Sequence, residues 1–385
     1  MHSDPRHAAR QVRWLGGLPR RDLLLLPLLA LVTLIGLLVA SELGARLYAP
    51  AHEAMHCIKS DATLGFGHGR PHCIEAAKIP EGPEVTYAFN ACGYRSTAPC
   101  PAPKPAGVRR VAVMGASFAM GYVVPYEESF GSRAERGLTT ACKSPVEVHN
   151  LAALATNLVG VYHELDEALS LQPDMIVLAI LPYDLEEGLP AEQLRNRDHP
   201  QPAAEAPGNP SLLTQLATLS KSSRALTVAR HLMFEDRDLY ARTYLLSGEK
   251  ADFLRVPLSP SWEKRLGDFD ELLGAIADKA KASGVPVALL LGPQRAQAVL
   301  MTEAKRPPGI DPTALPARIG EIARHHGVLM IDTTQDFAKL SNPERMIYTV
   351  DGHPDGAAGG VIAGSLVHHL TRDPGSPFGG CARIP

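Results

Sequence analysis

The sequence lacks an excess of either charge. Its 38 Lys+Arg and 41 Asp+Glu leave a formal net charge of −3, so it has no electrostatic footprint for nucleic acid. It also lacks a phosphate loop and a dinucleotide fingerprint, and therefore implies no cofactor. No internal repeat is present, and no cysteine precedes Cys57. What remains is 385 residues, enough for one large or two ordinary domains. The 33 Gly and 33 Pro imply many turns and irregular connections.

One stretch lacks charge altogether. Leu23–Ser41, LLLLPLLALVTLIGLLVAS, is almost wholly apolar, and a bilayer core needs about 20 residues of helix. Arg6, Arg10, Arg13, Arg20 and Arg21 precede it, while Glu42 and Arg46 follow. That asymmetry predicts a cytoplasmic tail (1–22), a membrane anchor (23–42) and export of everything beyond. A cleaved signal peptide, with Val39 and Ser41 near the cut, is the rival. The apolar run exceeds the roughly 7–15 residues of a signal core, which favours the anchor.

All six cysteines (Cys57, Cys73, Cys92, Cys100, Cys142 and Cys381) lie beyond that segment. An even number on the oxidising side reads as disulfides. The pairs Cys57–Cys73, Cys92–Cys100 and Cys142–Cys381 are the simplest of 15 connectivities, and the sequence does not decide among them. His52, His56 and Cys57 are echoed by His68, His72 and Cys73. Such a set can bind zinc, but in an oxidising compartment a disulfide with solvated histidines is the stronger reading.

Residues 43–106 are Cys/Pro-rich with little periodic pattern and read as a stalk or extension without its own core. From Val108 the character changes. VRRVAVMG, SPVEVHNLAA, PDMIVLAILP, VPVALLLGP and GVLMIDTT are short apolar runs, as buried parallel strands require. Helical patterns fall at Ser129–Thr140, Leu158–Leu171, Trp262–Ser283 and Pro312–His326, and DGAAGGVIAGSLVHHLTR closes the domain. Alternation of this kind predicts a doubly wound α/β fold, a mostly parallel sheet flanked by helices in three layers, preceded by one transmembrane helix. The domain spans 107–372 and a tail spans 373–385. Residues 186–261 interrupt the alternation, with loop chemistry over Glu186–Ser211 and helical sequence to about Phe253. An excursion of that size suggests a cap or partner surface.

In VAVMGASFAMGYVVPYEES, Ser117 follows a strand-like run and precedes a helix. Its hydroxyl is therefore expected at the carboxyl edge of the sheet, where open α/β sheets place ligands. Gly-x-Ser alone is an ordinary turn, and Ala119 breaks the Gly-x-Ser-x-Gly elbow. Near the other end, YTVDGHPDGAAGG places Asp351 two residues before His353. A serine nucleophile needs a base, and the base needs an acceptor to orient it. Standing alone, DGHPDG reads as a surface turn whose Asp caps a helix.

Together these blocks resemble the SGNH (GDSL-like) hydrolase superfamily over roughly residues 85–372. They are most similar to its membrane-anchored bacterial members, some of which act on acetylated envelope polysaccharides. FNACGYRS looks like the Asn-x-x-Gly-x-Arg approach segment, MGASFAMGYVVPYEESF the first block, VHNLAALATN the second, PDMIVLAILPYDL the third and DGHPDGAAGG the last. The resemblance implies Ser117 as nucleophile, His353 as general base and acid, and Asp351 as its orienting carboxylate. It places Ala155 where a glycine gives a backbone N–H to the oxyanion hole, and Tyr183 where the family has a donating asparagine. Asn157 stands close enough in sequence to substitute for that donor. Ala116 replaces the family's Asp beside the serine.

The remaining candidates have structural readings. His325/His326 and His368/His369 lie near predicted helix C-termini, where cations are favoured. HELDEAL lacks the second histidine of a zincin helix, so His163 and Glu164 are expected on the helix surface. Asp184 is expected at a strand end near the site. The resulting expectation is a serine esterase or acyltransferase, anchored in a bacterial inner membrane and facing the periplasm. Its partner would be an acylated, possibly O-acetylated, glycan or a small ester. The competing expectation is a catalytically impaired module of the same fold that binds glycan or a membrane protein partner.

Overall fold

The N-terminal apolar run forms one helix, α1 (Arg20–Tyr48). It outlasts the 23–42 span because Arg46 donates to Glu42 one turn earlier at 2.8 Å, which supports the helix beyond the apolar run. Leu24, Leu29 and Leu37 are exposed, and a helix apolar on all sides is poorly matched to water. Among the described residues it is the one helix long and apolar enough to cross a membrane. The computed structural model describes residues 20–52, 55–61, 66–154, 156–186, 196 and 222–381.

Residues 43–106, expected to lack pattern, contain two antiparallel hairpins. These are β1 (Ile58–Asp61) with β2 (Phe66–Gly69), and β3 (Ile74–Lys78) with β4 (Glu84–Ala88). Strands of four or five residues are too short for a two-residue period to stand out in sequence. Their inward side chains, including Ala77, Val85 and Tyr87, join the same core as Phe118 and Met120. The segment, expected as a stalk or extension, thus packs side chains into the core of the main domain. Disulfides join Cys57–Cys73, Cys92–Cys100 and Cys142–Cys381, the simplest connectivity. With Cys57 and Cys73 bonded to each other, neither thiol serves a metal. His68 instead stacks on Tyr94 at 6.1 Å and faces Glu167 at 3.6 Å, so it is not simply solvated.

The five apolar runs become β5 (Arg109–Gly115), β6 (Val146–Asn150), β7 (Met175–Ile180), β8 (Val287–Leu291) and β9 (Leu329–Asp332). They form one sheet in the order β6-β5-β7-β8-β9 with every pair parallel. Between the strands run α2 (Ser117–Met120), α3 (Phe130–Cys142), α4 (Leu158–Ser170), α5 (Pro182–Glu186), α6 (Arg224–Phe234), α7 (Arg237–Leu245), α8 (Pro260–Ala282), α9 (Arg295–Thr302) and α10 (Ala314–His325). After β9 come α11 (Thr334–Phe337) and the closing α12 (Gly356–Arg372).

Alternation along each strand builds the two cores. Ala112, Met114, Ile176, Leu178 and Leu289 face one side, with apolar residues of α4, α8 and α10. Val111, Val113, Val177 and Leu290 face the other, with those of α3 and α12. Because both faces are covered, the strands read as unbroken apolar runs. The chain passes from β5 to β6 on one side and then to β7 on the other, leaving a crevice at the carboxyl end of β5. Most of the Glu186–Ser211 loop stretch lies outside the described residues. Beyond it, the Glu42 carboxylate of α1 accepts from Ser223 Oγ (2.9 Å) and from the Arg224 (3.1 Å) and Ala225 (3.0 Å) amides, capping α6.

One expectation about α4 fails. Glu164 is not on the surface but 5% exposed, because it shares a stripe with Val161, Leu165 and Ala168. Burial, with the Glu167 charge nearby, pushes its carboxyl from an ordinary 4.5 up to about 9. Between those two values the folded chain holds a proton that the unfolded chain has released, so stability falls as pH rises through that window. Glu164→Gln, which carries no proton to lose, should flatten that fall, by up to about 1.4 kcal/mol per pH unit. Thermal melts of both proteins from pH 6 to pH 9 measure it. Parallel curves would show that Glu164 is not the group responsible.

Candidate active site

The site begins where β5 ends. Gly115 has φ 142°, and a Cβ there would lie 2.4 Å from the Ala179 carbonyl oxygen of β7. Glycine thus permits both the turn and the close approach of the two strands. Two residues later Ser117 opens α2, half-buried at the crevice.

The loop before α12 comes back over this point. His353 Nε2 lies 2.7 Å from Ser117 Oγ, and His353 Nδ1 lies 2.7 Å from Asp351 Oδ1. The same Asp351 oxygen accepts the His353 backbone N–H at 3.2 Å. The Tyr122 ring meets the imidazole edge-on at 4.9 Å. Residues 236 apart in sequence are thereby joined in one hydrogen-bonded line.

A tight turn sets the loop's shape: Tyr348 N donates to His353 O (2.9 Å) and Gly352 N to Tyr348 O (3.0 Å). Helix capping falls to Asp355, whose side chain accepts from Ala358 N at 2.9 Å. Asp351 is thereby left to the imidazole. Burial, followed by the Asp355 and Asp351 charges, raises the Tyr348 hydroxyl above its ordinary range. It stays a phenol and donates to Val123 O at 3.3 Å.

The residues after Ser117 are held by a buried cation. Arg95, 1% exposed, donates to Met120 O (3.0 Å), Gly121 O (2.6 Å) and Val124 O (2.6 Å). Its guanidinium sits 4.5 Å from the Tyr87 ring centroid. Asn90 shapes the segment that delivers it, accepting from the Cys92 and Tyr94 amides at 3.0 Å. The Asn-x-x-Gly-x-Arg pattern marked these residues, but spacing alone does not tell that the arginine grips the serine's turn. Tyr122 falls inside the first block but was not singled out there, and Glu81, treated below, lies outside every block.

The other predicted residues are placed as follows. Ala155 lies outside the described residues. Asn157 N-caps α4, its Oδ1 accepting from Gly160 N at 2.8 Å, so its amide NH2 is the end that can donate elsewhere. Tyr183 sits on α5 at the same sheet edge, 44% exposed. Asp184 Oδ2 accepts from Leu181 N at 2.7 Å, a loop-capping bond. A small apolar recess of ≈ 20 Å³ beside His353 is lined by Phe118, Tyr122, Phe130 and Ile362, with room for about one water.

Asp270, His325 and His326 form the one potential metal-ligand group found among the described residues. His326 Nε2 is already 2.6 Å from Asp270 Oδ1. Because α10 ends just before β9, this group lies at the amino edge of the sheet, opposite Ser117.

No known family profile matches the sequence, and no curated protein matches it. Among solved structures, the chain is similar to a protein assigned to the G-D-S-L lipolytic family from Desulfitobacterium hafniense (12% identity, 68% of this chain and 98% of that one, TM-score 0.36). It is also similar to a lipase/acylhydrolase from Enterococcus faecalis (10%, 72% and 99%, TM-score 0.39). A third is a Geobacillus acetyl-xylooligosaccharide esterase (13%, 72% and 97%, TM-score 0.37).

Arg95→Lys tests the grip on the serine's turn. An ammonium is a point charge and cannot reproduce the guanidinium fork, so buried carbonyls lose partners. The variant should be less stable by roughly 2–4 kcal/mol, read as a lower melting temperature of the purified protein. An unchanged melting temperature would show that the three carbonyls do not need the arginine.

Proposed function

We propose that this chain is a serine ester hydrolase or acyltransferase of the SGNH type. The observation that carries the reading is the continuous line Ser117 Oγ–His353 Nε2 and His353 Nδ1–Asp351 Oδ1, both 2.7 Å. That is the geometry a general base and its orienting carboxylate require.

Ser117 Oγ attacks the ester carbonyl carbon as His353 Nε2 takes the hydroxyl proton. Asp351 stays ionised, holds Nδ1–H and steadies the imidazolium. As the tetrahedral adduct collapses, the C–O bond to the leaving alcohol breaks and His353 returns the proton to that oxygen. The acyl-Ser117 ester is then attacked by water or a sugar hydroxyl, with His353 again base and then acid. The transient oxyanion falls to the Ser117 amide and to a side-chain donor, either the Asn157 amide NH2 or the Tyr183 hydroxyl. One such donor typically contributes about 10²–10³ in rate.

The substrate is an acylated, possibly O-acetylated, glycan or a small ester, presented at the sheet edge where Ser117 opens α2. α1 anchors the chain, with the arginine-rich residues 1–22 in the cytoplasm and the α/β domain outside the bacterial inner membrane. The hairpins and main sheet, residues 43–372, then work as one exported unit, with 373–385 as a tail.

A fluorophosphonate probe should label the purified protein, and Ser117→Ala should abolish labelling and hydrolysis of a short-chain nitrophenyl ester. His353→Ala should lower kcat by at least about 10³. An unlabelled, inactive wild type with the same fold would instead favour a glycan-binding module.

For topology, a reporter fused after Pro385 should be active only outside the cytoplasm. Cytoplasmic activity of that fusion would reverse the orientation and remove the oxidising compartment on which the disulfides depend.

A further inference from the structure

We infer that Glu81 is the positioning residue for the Asp351–His353 loop; this rests on the catalytic reading of that loop above. Glu81 lies between β3 and β4, outside every motif block of the chain. Its side chain is only 4% exposed, which is unusual for a carboxylate without structural work to do. Its partners explain the burial. Glu81 Oε2 accepts from Val350 N and Asp351 N, both at 2.9 Å, and Oε1 lies 3.1 Å from Val350 N. His231 Nδ1, from α6, is 2.5 Å from Oε1 on the other side.

One carboxylate therefore holds two consecutive backbone N–H groups of the loop, one belonging to Asp351 itself. Charge-assisted bonds of this kind are short and roughly twice as strong as neutral ones. Asp351 is exposed, and its carboxylate must meet Nδ1 of an imidazole two residues on. The backbone bonds Tyr348 N to His353 O and Gly352 N to Tyr348 O close this turn from within, on either side of Asp351. Fixing the Asp351 amide from below sets the point from which its side chain reaches His353. Glu81 touches neither substrate nor the reacting atoms, and acts through Asp351. A displacement of about 1 Å at a catalytic group can cost about 10² in rate.

Glu81→Gln keeps the volume but turns one acceptor into an NH2 group facing backbone N–H donors. It should lower kcat for a short-chain nitrophenyl ester at least tenfold, with KM within about twofold. Glu81→Ala should lower it about a hundredfold. A second readout needs no activity: the low-field proton resonance of His353 Nδ1–H, bonded to Asp351, should be present in wild type and in Ser117→Ala. It should vanish in Asp351→Asn and vanish or broaden in both Glu81 variants. Retained kcat and a sharp resonance in folded Glu81→Gln would overturn the assignment. Should Glu81→Ala not fold, the isosteric variant decides. Loss of the resonance in a chain whose wild type hydrolyses no ester would uphold Glu81 as the loop's anchor and sink the hydrolase reading alone.

Discussion

The buried guanidinium of Arg95 is the contact on which the turn after Ser117 depends. Residues 120–124 leave α2 with carbonyls that have no partner in a regular element, and Arg95 supplies donors to three of them. The turn needs holding, because Val123 within it has φ 52°, a left-handed conformation rare for a β-branched side chain. The Tyr87 hydroxyl accepts from Val123 N at 2.7 Å, and Tyr348 donates to Val123 O. Both Arg95 and Tyr87 come from the segment ahead of the α/β domain. That extension builds the floor of the site and does not merely connect it to α1. Gly93, where a Cβ would lie 1.9 Å from Gly69 O, shows how closely its pieces are fitted.

The sheet supplies the second constraint. Its chain order puts β5 between β6 and β7, so the loops after β5 and β7 diverge and leave room at their carboxyl ends. Ser117 occupies that room because Gly115 lets the backbone turn hard against Ala179. The α12 end of the chain then crosses the same edge, with Asp355 capping the helix while Asp351 and His353 face inward. Two aspartates four residues apart have separate duties, one to backbone amides and one to an imidazole.

How much of this was legible beforehand follows from the range of each interaction. The five strands were legible because burial on both faces leaves no polar alternation to confuse the reading. Ser117, Asp351 and His353 were legible because short blocks on either side of them carry a recognisable pattern. The short hairpins were not, since four residues hold too few periods to register. Glu164 was misplaced because glutamate is usually solvated, and only the packed face of α4 shows which way it points. Arg95 was visible within its block, but its three carbonyl partners lie 25 to 29 residues away. Glu81 was beyond reach, since its loop partners lie some 270 residues distant. Side-chain donors at the crevice are similarly contextual: Asn157 is already engaged as a helix cap, and Tyr183 sits half in solvent.

The cap that Glu42 places on α6 has a mechanical consequence. A catalytic unit on a flexible tether sweeps a volume set by linker length. Here the last turns of α1 are joined to α6 by three hydrogen bonds to a single carboxylate, and α6 reaches the Asp351–His353 loop through His231 and Glu81. With α1 in a bilayer, the crevice rides on a bracket at a set height and azimuth over the lipid surface. On the proposed reading, such an arm holds Ser117 at one distance from the membrane, and substrate has to be brought to that level.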